Sequence, residues 1–93
     1  MPESVYRSKA RIFADILRAV AAEKEIKPTH ILYRANLSYD RLTRYLAQLE
    51  SKGLISKNIE GDKTSFSITA KGSYFLQEFR KVEDFTNAFG LEL

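Results

Sequence analysis

An α+β, mainly helical domain with a three-helix core, a β-hairpin and an extra C-terminal helix is predicted by three observations. Apolar residues recur at helical spacing through residues 9–52. The period falls to two across residues 54–68, with a glycine-containing break in the middle. A helical, aromatic-rich pattern then returns and runs to Gly90.

In the first helix, roughly 9–23, Ile12, Phe13, Ile16, Leu17 and Val20 form one buried stripe. Ser8 stands where a hydroxyl caps it. Lys9, Arg11, Asp15 and Arg18 lie off the stripe, and the helix is mainly scaffold. Residues 1–7, with Pro2 and mixed charge, are expected to be a loose arm on which Val5 and Tyr6 can dock. Ile26 points inward, in a turn or a single-bridge strand. Pro28 opens a second helix, because its missing N–H would be unpaired in a first turn anyway. Ile31, Leu32 and Ala35 are its core residues, Asn36 its left-handed exit, and Leu37 plugs the turn that follows.

The third helix has a start, two faces and a stop. Ser38 is its N-cap, Asp40 adds negative charge near the positive end of the helix dipole, and Gly53 is its left-handed stop. Leu42, Tyr45, Leu46 and Leu49 share the inner face. Asp40, Thr43, Arg44, Ala47 and Gln48 share the outer face, with Arg41 at its edge. Next, Ile55 and Ile59 fall on one side of a strand, and Phe66 and Ile68 on the inner side of its partner. Glu60-Gly61-Asp62 joins the two. Thr69 caps the last helix, and Gly72 in its first turn marks a close approach to another element. A short helix, a tight turn, a longer helix with a basic outer face and a hairpin make a winged helix-turn-helix. Residues 8–69 form that domain, and residues 70–93 an appended helix.

Composition narrows the function. The 93 residues make one domain, and 44% hydrophobic residues suffice for a core. The absence of cysteine excludes disulfides, zinc fingers and thiol catalysis. His30 is the only histidine, the carboxylates are scattered among positive neighbours, and there is no phosphate-cradling glycine loop. The chain is therefore expected not to be an enzyme and to need no cofactor or metal. No apolar run approaches the ~18 residues of a membrane span, so no membrane partner is expected. The net charge of +3 is uneven. Residues 1–53 hold ten Lys/Arg and six Asp/Glu, and residues 54–93 hold five and six.

The basic half contains the third helix. Arg and Gln pair bidentately with guanine and adenine edges in a major groove. Arg41 and Arg44 are therefore assigned to base or phosphate contact, with Gln48 deeper along the helix. Ser38, Tyr39 and Thr43 lie near the DNA backbone, although Tyr39 equally fits the core. Arg34 would clamp flanking phosphates, and Lys63 with Lys57 would reach phosphates from the hairpin unless the hairpin mainly covers the core.

On the last helix, Tyr74, Phe75 and Leu76 are expected to cover the core. Phe79, Val82, Phe85 and Phe89 continue beyond the length a small domain can cover, and Phe75 adjoins them. Such a stripe suits a homodimer with the same helix of a second copy. The alternative is that the helix folds back on its own first helix.

The run Ile31–Leu42, with Ala35-Asn36-Leu37-Ser38-Tyr39 at its centre, is followed by Tyr45-Leu46, Leu49 and Lys52-Gly53-Leu54-Ile55. It resembles the archaeal winged-helix family of small transcriptional regulators and chromatin-associated DNA-binding proteins. The resemblance covers residues 8 to about 80. It implies double-stranded DNA binding, a homodimer through the last helix and no enzymatic activity. A cytoplasmic, nucleoid-associated location is expected, since Arg7, Lys9 and Arg11 interrupt any signal-peptide core. The Phe-rich final helix, shorter and stopped by Gly90, departs from the long coiled coil of those relatives. The competing reading is a protein-interaction winged helix that does not bind nucleic acid. Glu60 and Asp62 at the hairpin tip fit it. RNA binding lacks an aromatic stacking platform.

Overall fold

The computed structural model describes residues 7–91. The expected docking of Val5 and Tyr6 lies outside them. The element order is α1 (Lys9–Ala21), α2 (Pro28–Ala35), α3 (Tyr39–Ser51), β1 (Ile55–Glu60), β2 (Lys63–Ile68) and α4 (Ala70–Ala88). This is the predicted three-helix core, hairpin and added helix.

Helix α1 lies at the centre. Ser8 caps it by accepting from the Arg11 N–H at 3.0 Å. Its predicted stripe is buried, and so are Ala14 and Ala19. The buried surface is wider than the stripe because α2, β2 and α4 all pack on this helix. The small Ala side chains suit such close neighbours. Ile16, Leu17 and Val20 are fully buried, each contributing about 1.5–3 kcal/mol of apolar transfer.

The turn between α2 and α3 is built by local chemistry. Pro28 occupies the first helical turn. Asn36 takes φ 56° and ψ 58°, a left-handed conformation that Asn tolerates better than most residues. That reversal lets the Leu37 N–H reach back to the Leu32 carbonyl at 3.2 Å and drops the Leu37 side chain into the core. Ser38 then caps α3, accepting from the Arg41 N–H at 3.3 Å. At the other end Gly53, φ +77°, completes a Schellman stop, with Leu54 N–H donating to Leu49 O at 2.9 Å.

β1 and β2 pair antiparallel from Ile55↔Ile68 to Glu60↔Lys63. Only Gly61 and Asp62 remain in the turn, and the positive φ of Gly61 suits the first central position of a tight hairpin turn. Ile26 joins the sheet by a single bridge, exchanging two 2.9 Å hydrogen bonds with Phe66. Ile55 and Phe66 are buried and Ile68 packs against the core. Ile59 shares the face of Ile55, but the hairpin has passed the core there, and its side chain is 66% exposed.

Thr69 both caps α4, accepting from the Gly72 N–H at 3.0 Å, and donates to the Gly53 carbonyl at 2.7 Å. Gly72 is where α4 presses on the strands. A Cβ there would lie 2.2 Å from the Leu54 carbonyl oxygen and 2.8 Å from Ile68. Gly72→Ala should cost about 3 kcal/mol by overpacking. That is a fall in Tm of roughly 10–20 °C for a domain of this size, measurable by thermal circular dichroism.

Three expectations are corrected. Tyr74 does not cover the core; it is 62% exposed, while Phe75 and Leu76 pack inward. Phe79 is not on the open stripe. It is 8% exposed, stacked on Phe75 at 5.8 Å with the Arg18 guanidinium over its ring. The α4 helix folds back on α1 as far as Glu83, which pairs with Arg18 and Arg11, while Val82, Phe85 and Phe89 on it are exposed. Arg7 is not loose, being half-buried and hydrogen-bonded to Asp15 and to the end of α2.

Candidate nucleic-acid interface

The inner face of α3 is sealed by Leu42, Leu46 and Leu49, with Tyr45 edge-on to Phe13 at 5.9 Å. This fixes the helix against the core and turns Tyr39, Asp40, Thr43, Arg44 and Ala47 to solvent. Tyr39 is 64% exposed, so it belongs to the outer face and not to the core. With Asp40, Thr43 and Arg44 it lines a shallow depression at the N-terminal end of α3. The Thr43 hydroxyl donates to the Tyr39 carbonyl at 2.7 Å, leaving its lone pairs for an outside donor. Arg41 and Gln48 lie on the opposite flank, both half-buried. The Arg41 guanidinium sits 5.9 Å from the Tyr45 ring centroid, which holds the long side chain along the helix. The Ser38 hydroxyl, although exposed, is engaged in capping.

Between α3 and the hairpin runs a groove of about 300 Å³. Leu42, Leu46 and Phe66 form its floor, and Thr43, Ala47 and Glu50 face Lys57 and Thr64 across it. Glu50 and Thr64 were not singled out from the sequence. The signals were present: Glu50 lies seven residues after Thr43, and Thr64 two before the inward Phe66.

The pairing register separates the two hairpin lysines. Lys57 is opposite Phe66, on the face turned to α3. Lys63 is opposite Glu60, on the other face, where it lines a depression with Glu25, Lys27 and Asn58. The hairpin is anchored from that side: Ser67 donates to the Lys24 carbonyl at 2.9 Å and Ser65 to Glu25 at 3.0 Å. Nor does Arg34 join α3. It pairs with Glu23 at 2.9 Å and lines a depression with Asp15, Arg18 and Ala22, on the α1 side of α2. A phosphate clamp there would first have to break that ion pair. Among the described residues no group of three His, Cys, Asp or Glu could hold a metal ion. No described helix is long and apolar enough to cross a membrane.

Residues 6–87 match the family model described as winged helix-turn-helix. The chain belongs to the winged helix-turn-helix family. It is 35% identical over 79 residues to an uncharacterized protein of Methanocaldococcus jannaschii, covering 85% of this chain and 35% of that protein. The chain thus spans about a third of that relative's length. Among solved structures it superposes on Sso10a-2, a DNA-binding protein from Sulfolobus solfataricus, with TM-score 0.75 and 29% identity over 90% of both chains. The transcriptional regulator BldR from Sulfolobus solfataricus has the same fold, with TM-score 0.71 and 22% identity over 84% of this chain and 58% of that one. The winged helix-turn-helix reaches this fold here without a basic hairpin tip, since Glu60, Asp62 and Lys63 surround Gly61.

Proposed function

We propose that the protein binds double-stranded DNA as a homodimer and acts in transcriptional regulation. The observation that carries this is the open face of α3, where Tyr39, Thr43, Arg44 and Ala47 are exposed and Lys57 stands across a groove. Likeness to the DNA-binding Sso10a-2 over nine-tenths of both chains supports it. In this reading α3 enters the major groove with its N-terminal half leading. Arg44 is the exposed reader, Arg41 contacts a base or phosphate from its flank, and Ser38, Tyr39 and Thr43 lie near the DNA backbone. Gln48 is half-buried and contributes less.

The second copy docks on the free end of α4. Val82, Phe85 and Phe89 are 47%, 65% and 68% exposed, and the two Phe rings lie 5.1 Å apart. A patch of this kind on a terminal helix is suited to an isologous, antiparallel contact. Phe75 and Phe79 instead hold α4 to its own domain.

Fluorescence anisotropy of a labelled duplex across a salt series tests DNA binding, which should weaken steeply as salt rises. Within the same series, Lys57→Ala should lower the slope by about 0.9 for each phosphate that a protomer no longer touches. Lys63→Ala, on the outer face of the hairpin, should leave it nearly unchanged. Slopes unchanged from the wild type in both variants would remove the hairpin lysines from the interface.

A second reading, a winged helix that docks a protein, is favoured by Asp40 and Glu50 beside the basic residues of α3. No binding to duplex DNA even at low salt would select it.

A further inference from the structure

We infer that Arg7 is a positioning residue for DNA recognition: it locks the exit of α2 and so fixes how α3 is presented. The inference rests on the DNA-binding reading. One Arg7 guanidinium nitrogen donates to Asp15 and to the Ala35 carbonyl, each at 2.8 Å, and the other donates to the Asn36 carbonyl at 2.9 Å. Those two carbonyls belong to the last residue of α2 and to the left-handed residue that turns the chain toward α3. Carbonyls at a helix end lack intrahelical partners, and a planar guanidinium can fork across two of them as an ammonium cannot. The charge also meets the negative end of the α2 dipole.

The anchor is itself held. Asp15, on α1, additionally pairs with Arg18 at 3.3 Å, and Arg18 with Glu83 of α4. The Asp15 and Glu83 side chains are only 21% and 16% exposed, so these pairs are shielded in part from solvent and salt. The helix-turn-helix bend is thereby tied through Arg7 and Asp15 to α1, and through Arg18 to the helix that carries the dimer patch. Arg7 holds none of the α3 residues assigned to DNA, and its guanidinium is committed inward on all three bonds.

Two measurements on the full chain test this. The first is amide hydrogen exchange of the free protein at Asn36 and Leu37, whose N–H groups both return to the Leu32 carbonyl. The second is anisotropy on duplex DNA across a salt series. Arg7→Ala should speed exchange at these two amides, leave amides of the α3 interior unchanged, and weaken DNA binding roughly tenfold, a coupling of about 1.4 kcal/mol. The salt slope should stay at the wild-type value, because every phosphate keeps its partner. Arg7→Lys, which keeps the charge and most of the stem, should recover part of the affinity and guards against a merely unfolded Ala variant. A slope reduced by about 0.9 would make Arg7 a phosphate ligand and overturn the proposal. Unchanged exchange at Asn36 and Leu37 would overturn it equally. If the wild-type protein binds no DNA at any salt, the DNA-binding reading fails. Faster exchange in Arg7→Ala would then still establish the lock on the turn without a DNA role.

Discussion

Replacing Arg41 and Arg44 together by alanine is expected to lower duplex-DNA affinity ~100-fold at moderate salt, with about 1–3 kcal/mol for each arginine that reads a base. The two side chains differ in a way that separates their roles. Arg44 is exposed on the outer face and shares the depression lined by Tyr39, Asp40 and Thr43. Arg41 is half-buried and lies against the Tyr45 ring. Arg44→Ala alone should relax sequence preference at one position of a selected site while leaving folding intact. Arg41→Ala should also cost about 0.5–1 kcal/mol of stability, because the guanidinium no longer rests on the ring, so its thermal midpoint has to be measured alongside its affinity. Equal losses on all sequences for the Arg44 variant would make that residue a phosphate contact. Undiminished binding by the folded double variant would place the interface elsewhere than α3.

What the sequence made legible is what short-range chemistry controls. Ser8, Ser38 and Thr69 each cap the helix that follows them. Asn36 and Gly53 take the left-handed conformations at the two helix exits. A left-handed residue allows only a few continuations, so these positions fix where α2 and α3 stop. Gly72 was legible for the same reason, since a glycine in a first helical turn is costly unless something approaches it, and the Leu54 carbonyl does.

The misplaced residues depend on what lies across the fold. Arg34 is basic and next to the bend, but its partner Glu23 is eleven residues away. Phe79 has the spacing of the exposed stripe. It is buried because α4 leans on α1, an angle that no local pattern encodes. Arg7 finds its carbonyls 28 and 29 residues along the chain. The two hairpin lysines form an intermediate case. Their opposite faces follow from strand parity once the turn is known to hold only Gly61 and Asp62, so the register, not the pleat, was the missing quantity.

The second large effect concerns α4. Substituting Phe85 and Phe89 together by serine should convert the proposed homodimer to a monomer in sedimentation velocity at micromolar concentration, and reduce DNA affinity ~100-fold or more. The loss arises because the second half-site ceases to be an intramolecular encounter, an effect of about 10²–10⁴. Serine is chosen because it leaves the net charge unchanged, so weaker binding cannot be ascribed to electrostatics. The exposure of both rings, 65% and 68%, means that removing them takes little from the protomer's own core. Phe79 is the contrasting control. Phe79→Ala should cost about 3–5 kcal/mol and lower the thermal midpoint, because its ring is stacked on Phe75 and buried against α1. A double-serine protein that still sediments as a dimer would move the contact off α4, and a monomeric wild type would remove the proposed dimer altogether. The ion pair joining Arg18 to Glu83 would then serve only to brace α4 against α1. If the double-serine protein sediments as a folded monomer, the same helix has two tasks that meet in the turn holding Val82 and Glu83. Its first half clamps the domain, and its second half sets the distance between two α3 helices on DNA.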